Sequence, residues 1–157
     1  MINFKKLDKA EIDMVWDRFE NLFHFKPGIN NNIFFPAIKT SKPKFKFSVK
    51  HCFSLDFSMT KLEAFALSLF DEITSPGERL YALDWQHECY DFDPRREMDR
   101  NEFDEWIVPV LPDGDFYIFL TKDFNNVWIG HPWEKTVTLV GENIVNHGQR
   151  MRSDFPK

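Results

Sequence analysis

The sequence predicts an α+β fold: a single antiparallel, mostly meandering sheet of about five or six strands, with two main helices packed on one face. Three observations carry that expectation. Two segments space their apolar residues by three and four behind capping-box starts. From Pro43, and again from Leu80, the apolar period changes to two. The later strands are separated by turns too short for parallel crossovers, so neighbours run antiparallel.

The first helix begins at Asp8-x-x-Glu11, with Asp8 as N-cap. Ile12, Val15/Trp16, Phe19 and Phe23 form one apolar stripe, and Pro27-Gly28 stops it. A loop follows at Asn30–Asn32. Phe45, Phe47, Val49, His51, Phe53 and Leu55 then share one face of a half-buried strand, with lysines on the other. A leading proline and a Lys-rich outer face suit an edge strand protected against further pairing. Thr60-x-x-Glu63 opens a second helix whose stripe runs from Leu62 to Ile73 before Pro76-Gly77. Strands are expected at Leu80–Phe92, Trp106–Leu111, Asp115–Leu120, Val127–Gly130 and Thr136–Val140. Pro112-Asp-Gly-Asp115 and Lys122-Asp-Phe-Asn125 are the turns between them. Phe116–Leu120 is apolar on both faces, as a central strand should be. Glu142–Asn146 reads as a short last helix, and residues 147–157 as a loose C-terminal tail. With no internal repeat or linker, residues 1–157 make one globular domain.

Composition bounds the setting. The chain has 157 residues, 43% hydrophobic and 17% aromatic, with 18 Phe. Each buried aromatic removes about 150–250 Å² from water, so the chain is globular and not disordered. No apolar run reaches the roughly 18 residues that a membrane span requires, and the N-terminus lacks signal-peptide features. Cys52 and Cys89 are far apart with no Cys-x-x-Cys spacing, which suits free thiols in a reducing, cytoplasmic compartment. The net charge of −5 conceals an asymmetry. Residues 1–50 hold ten Lys/Arg against five Asp/Glu, whereas residues 84–115 hold eleven Asp/Glu against three Arg. Non-specific nucleic-acid binding would require the opposite balance. The acidic block is either a solvated face or a patch offered to a basic partner.

The chemistry-bearing residues concentrate in Leu80–Pro94 and Gly130-His-Pro-Trp-Glu134. On a regular strand, Tyr81, Leu83, Trp85, His87 and Cys89 share one face, opposite Asp84 and Glu88. Asp84 and Glu88 would then stand roughly 13 Å apart, too far for a glycosidase carboxylate pair unless a bulge intervenes. His87 with Cys89 is the better beginning of a ligand set, but no further ligand is near in sequence, so no metal and no cofactor are expected. Cys89 is either an inert core thiol or a nucleophile paired in space with His131, and nothing local favours the second. His87 reads as a core histidine bonded to backbone. Pro132 makes His131 extended. Trp133 either caps the core or stands out as an interaction anchor. The chain has no Gly-rich phosphate loop, no Gly-x-Ser-x-Gly elbow and no His-Glu-x-x-His.

Trp16-Asp-Arg-Phe19, Phe25-Lys-Pro27, Tyr81-Ala-Leu-Asp-Trp-Gln-His-Glu-Cys-Tyr90, Pro109–Leu120, Asp123-Phe124 and Gly130-His-Pro-Trp-Glu134 resemble a group of uncharacterised bacterial proteins, the domain of unknown function 2716. The resemblance covers most of the chain. It implies a small bacterial protein and carries no established activity or catalytic role. Asp91 follows Tyr90 where the resemblance leads one to expect a large aromatic.

The function that these readings favour is a small cytoplasmic protein-binding module without catalysis, an immunity-type protein that neutralises a partner such as a toxin being one version. Its binding residues would be Trp133, Glu134, Asp99, Glu102, Asp104 and Glu105, facing a partner with a basic surface. No nucleic acid and no membrane are expected, and a homo-oligomer is compatible with the sequence. The first alternative is a hydrolase-like enzyme using Asp84, His87, Glu88 and His131 in a cleft of the sheet. The second is a binder of small apolar ligands in a Phe/Trp-lined pocket.

Overall fold

A computed structural model describes residues 3–28 and 37–152; the loop expected at Asn30–Asn32 and the last five residues lie outside them. Among the described residues one sheet contains seven strands, all paired antiparallel. They are β1 (Phe4–Lys6), β2 (Lys44–Ser48), β3 (Leu80–Asp84), β4 (Tyr90–Phe92), β5 (Tyr117–Thr121), β6 (Val127–His131) and β7 (Thr136–Val140). In space they run β1-β4-β3-β5-β6-β7-β2. Three helices accompany them: α1 (Lys9–Phe23), α2 (Met59–Ile73) and α3 (Glu142–Met151). The α+β class and the antiparallel sheet are as expected, but the strands number seven and not five or six.

One of the differences arises in the segment expected as one long strand, Leu80–Phe92. Asp84 turns its carboxylate back onto the Gln86 N–H at 3.0 Å, a local bond that competes with the ladder and bends the chain. The segment therefore folds into a hairpin, with Leu80 opposite Phe92 and Ala82 opposite Tyr90. The N-terminal β1, too short to announce itself, adds to the far side of β4. Trp106–Leu111 is not a strand, apart from one Arg100–Trp106 bridge. Pro109 and Pro112 interrupt its backbone donors; its alternation arises because Trp106, Val108 and Val110 cap the core. β2 is indeed an edge strand, paired only with β7.

The helices do not share one face. β3 and β5 are apolar at successive positions, so both sheet faces must be covered. Val15, Phe19 and Phe23 of α1 pack with Tyr81, Leu83 and Ile118. Leu62, Leu69 and Phe70 of α2 and Ile144 of α3 pack with Ala82, Phe119 and Trp128 on the opposite side. Phe70 is the hub there, its ring centroid 5.1 Å from that of Phe119, 5.8 Å from Trp128 and 6.1 Å from Phe92. Such pairings add about 0.5–1.5 kcal/mol each beyond area burial.

Asp8 caps α1 as its position predicts, accepting from the Glu11 N–H at 2.8 Å. α2 starts at Met59, and the Ser58 hydroxyl bonds to Thr60 and not to the backbone. α3 runs through Met151, so residues 147–151 are helix and not tail. Its stripe includes Ile144 and Val145, and the strand-to-helix corner is Gly141 at φ +115°. A Cβ there would lie 2.0 Å from the Asn125 carbonyl oxygen. Gly141→Ala is therefore expected to destabilise the protein by roughly 2 kcal/mol or more, read as a lowered midpoint in urea.

Candidate functional site

β3 and β5 are neighbours, with Asp84 in register with Tyr117. The end of β3 thus meets the residues that lead into β5, and the Trp85 N–H continues the pairing to the Phe116 carbonyl at 3.2 Å. This juxtaposition brings two carboxylates together. Asp84 is 8% exposed and Asp115 4%. The Gln86 N–H donates to Asp84 Oδ1 at 3.0 Å and to Asp115 Oδ2 at 3.3 Å. The Phe116 N–H donates to Asp115 Oδ1 at 2.7 Å. His87, carried round by the bend after β3, lays Nδ1 at 3.1 Å from both Asp84 oxygens and 3.6 Å from Asp115 Oδ2. Its side chain is 69% exposed. One donor atom from each of the three residues lies within 4.8 Å of the others.

The electrostatics follow from burial. Asp115 is pushed up to about 7, first by loss of water and then by the hydrogen bond and negative charge of Asp84. The Asp84 carboxylate raises His87 above the ordinary imidazole range, its hydrogen bond being the main cause. Burial raises Tyr117, with Asp84 and Asp115 adding to the effect. The group is a pair of buried carboxyls with an imidazole at its open side. In the unfolded chain Asp115 has an ordinary value of 3.8. A raised folded value means that its contribution is fully present below pH 4 and is lost as pH climbs to about 7. The raised His87 pulls in the same direction, its contribution fading above the ordinary 6.5. Stability is therefore expected to fall between pH 4 and 7 by up to about 1.4 kcal/mol per pH unit from this one proton. Asp115→Asn should flatten that slope in chelator-treated protein, measured by urea denaturation at successive pH values.

The acidic block is dispersed by folding. Asp91 and Asp93 pair with Arg79, and Asp91 also meets Lys122 at 2.9 Å. Asp99 Oδ2 accepts the backbone N–H groups of Asn3 at 2.9 Å and Phe4 at 3.1 Å, which ties down β1. Asp99→Ala would leave these donors without their acceptor and is expected to cost roughly 1–3 kcal/mol, visible as a lower melting temperature.

The block's outer part is a built loop. Arg100 holds Glu63 of α2 at 3.1 Å and donates to the Asp104 carbonyl at 2.8 Å. The Asn101 side chain accepts from the N–H groups of Phe103 at 2.8 Å and Glu105 at 3.0 Å, and the Asn101 backbone N–H donates to the Glu105 carbonyl at 2.8 Å. Trp106 then plunges into the core. The loop leaves Phe103 73% exposed, with Glu102, Asp104 and Glu105 exposed beside it.

The other residues nominated by sequence have separate surroundings. Glu88 pairs with Lys6 at 2.9 Å, and that hydrogen bond holds its carboxyl below the usual range. His87 is not a core histidine, since it stands at the surface against Asp84. Cys89 is buried, donates weakly to the Asp84 carbonyl at 3.6 Å, and is raised by desolvation. His131 shares the α1 side of β6 with Ile129, packs edge-on to Phe116 at 4.8 Å between centroids, and accepts from the Glu134 N–H at 3.1 Å. Trp133 is 39% exposed and donates to the Gly28 carbonyl. Glu134 binds Lys46 at 3.1 Å and accepts from Thr136 at 2.6 Å. A pocket of about 240 Å³ opens between β2, β6 and β7, with Ile129 in its floor and Lys44, Lys46, His131 and Glu134 among its walls. The structure thus brings Asp84 to His87 and gives Glu88 and His131 other partners. Asp115 is missed as a site residue, its position reading only as the junction of a turn with the strand Asp115–Leu120. Phe103 was missed as a single apolar residue in a charged run, which was its one signal.

The fold defines a small α+β protein built on one antiparallel sheet. The chain belongs to the family described as "Protein of unknown function (DUF2716)", whose model matches residues 6–145. It is 33% identical over 152 residues to the uncharacterised protein YxiI of Bacillus subtilis (strain 168), covering 92% of this chain and 91% of that one. No solved structure matches it. Among the described residues no helix is long and apolar enough to cross a membrane.

Proposed function

We propose that this chain is a protein-binding module that works without catalysis, docking a partner with a basic surface through the loop Arg100–Trp106. The observation that carries the reading is Phe103, 73% exposed on a loop held by its own hydrogen bonds and flanked by Glu102, Asp104 and Glu105. An exposed apolar side chain costs free energy in solution unless something covers it. An aromatic anchor ringed by carboxylates suits a basic surface with an apolar hollow, the aromatic contributing affinity and the charges contributing steering. Preorganisation supports the same reading, since a rigid loop loses little entropy on docking. Trp133 and Glu134 form a second candidate contact, and Asp99, next to the loop in sequence, holds the start of β1. An immunity-type role, in which the captured partner is a toxin, is the concrete version of this function.

The test is affinity capture from the native cytoplasm with wild type, Phe103→Ala and the triple reversal Glu102→Lys/Asp104→Lys/Glu105→Lys. One stoichiometric partner is expected with wild type. It should be lost from the triple variant and weakened by roughly 2 kcal/mol or more in Phe103→Ala, with melting temperatures nearly unchanged. A partner retained equally by all three proteins would refute the docking loop.

A further inference from the structure

We propose that Asp84, His87 and Asp115 form a binding site for a first-row divalent cation, independent of the docking loop. The donor set mixes two carboxylates with an imidazole and is drawn from the end of β3, the bend after it and the residues leading into β5, so it is assembled by the fold and not by a run of acidic sequence. Its spacing fits coordination. Metal–donor bonds of about 2.1 Å set neighbouring donors about 3.0–3.4 Å apart at octahedral or tetrahedral angles. His87 Nδ1 lies 3.1 Å from Asp84 Oδ2 and 3.6 Å from Asp115 Oδ2, so small side-chain adjustments would close a three-donor face.

Charge gives the second, independent argument. Both residues are buried, with the Asp115 side chain 4% exposed and that of Asp84 11%. Among the described residues no Lys or Arg pairs with either of them, and the one cationic partner is the exposed His87. Among the described residues the one other buried acid, Glu63, is matched by Arg100. Two buried carboxylates facing each other are costly without a counter-charge. A divalent ion would supply it. The Gln86 and Phe116 N–H groups would remain to orient the ligating carboxylates from behind. The exposed side of His87 leaves further coordination positions to water. Oxygen donors with one imidazole suit Mn²⁺ or Zn²⁺ better than a soft thiolate-seeking ion.

The decisive measurement is titration of the full chain with MnCl₂ at pH 8, read by calorimetry and by paramagnetic broadening of histidine ring resonances. Wild type is expected to bind one Mn²⁺, with His87 broadened before His24, His51, His131 and His147. Asp115→Asn and Asp84→Asn should weaken binding at least roughly tenfold. His87→Gln, at an exposed position, supplies the same comparison if an Asn variant fails to fold. Saturable binding that depends on these residues supports the site. Absence of binding to millimolar Mn²⁺, equal affinity in the variants, or earlier broadening of another histidine would overturn it.

Discussion

The structure depends on a sheet whose central strands are buried on both faces. Along β3, Leu80 and Ala82 enter the core under α2, while Tyr81 and Leu83 enter the one under α1. β5 does the same with Phe119 on one side and Ile118 and Leu120 on the other. A slip of one residue would exchange the two apolar sets and mismatch both cores at once. The register Ala82–Phe119 and Leu83–Ile118 is therefore locked from two directions. The same lock places Asp84, the last residue of β3, beside Asp115, which leads into β5.

That rigidity explains how a chain of local charges becomes a set of distinct devices. Arg79 collects Asp91 and Asp93, and Asp99 closes the buried start of β1. These carboxylates are held by partners and contribute order to the β1–β4 edge. Glu102, Asp104 and Glu105 remain in water around Phe103, on a loop that Arg100 fastens to α2 through Glu63. The docking surface is thereby tied to the same core that sets the sheet register. Surface charge alone would give little stability; here its value lies in placement.

Near the opposite, β2 edge the outward lysines serve another purpose. Lys44 and Lys46 line the pocket beside β6 and β7, and Lys46 pairs with Glu134. Together with the proline before the strand they protect an otherwise open ladder. The positive charge of the first 50 residues is thus used in part to protect an edge.

What the sequence by itself determined is everything governed by local period and local chemistry. Asp8 and its stripe made α1, Pro43 and the lysines made an edge strand, and the tight turns made β5, β6 and β7 antiparallel neighbours. Trp106–Val110 misled because a segment that caps a core alternates as a strand does. Leu80–Phe92 misled because the bend rests on one side-chain bond, from Gln86 N–H to Asp84, that periodicity does not register. Only the tertiary structure decided that α1 and α2 take opposite faces, and that Asp115 joins Asp84 across 31 positions of chain. The physical reason is the same in both cases. Spacing along a chain reports which residues share a face of one element, whereas a site depends on which elements become neighbours, and burial of both sheet faces makes that choice.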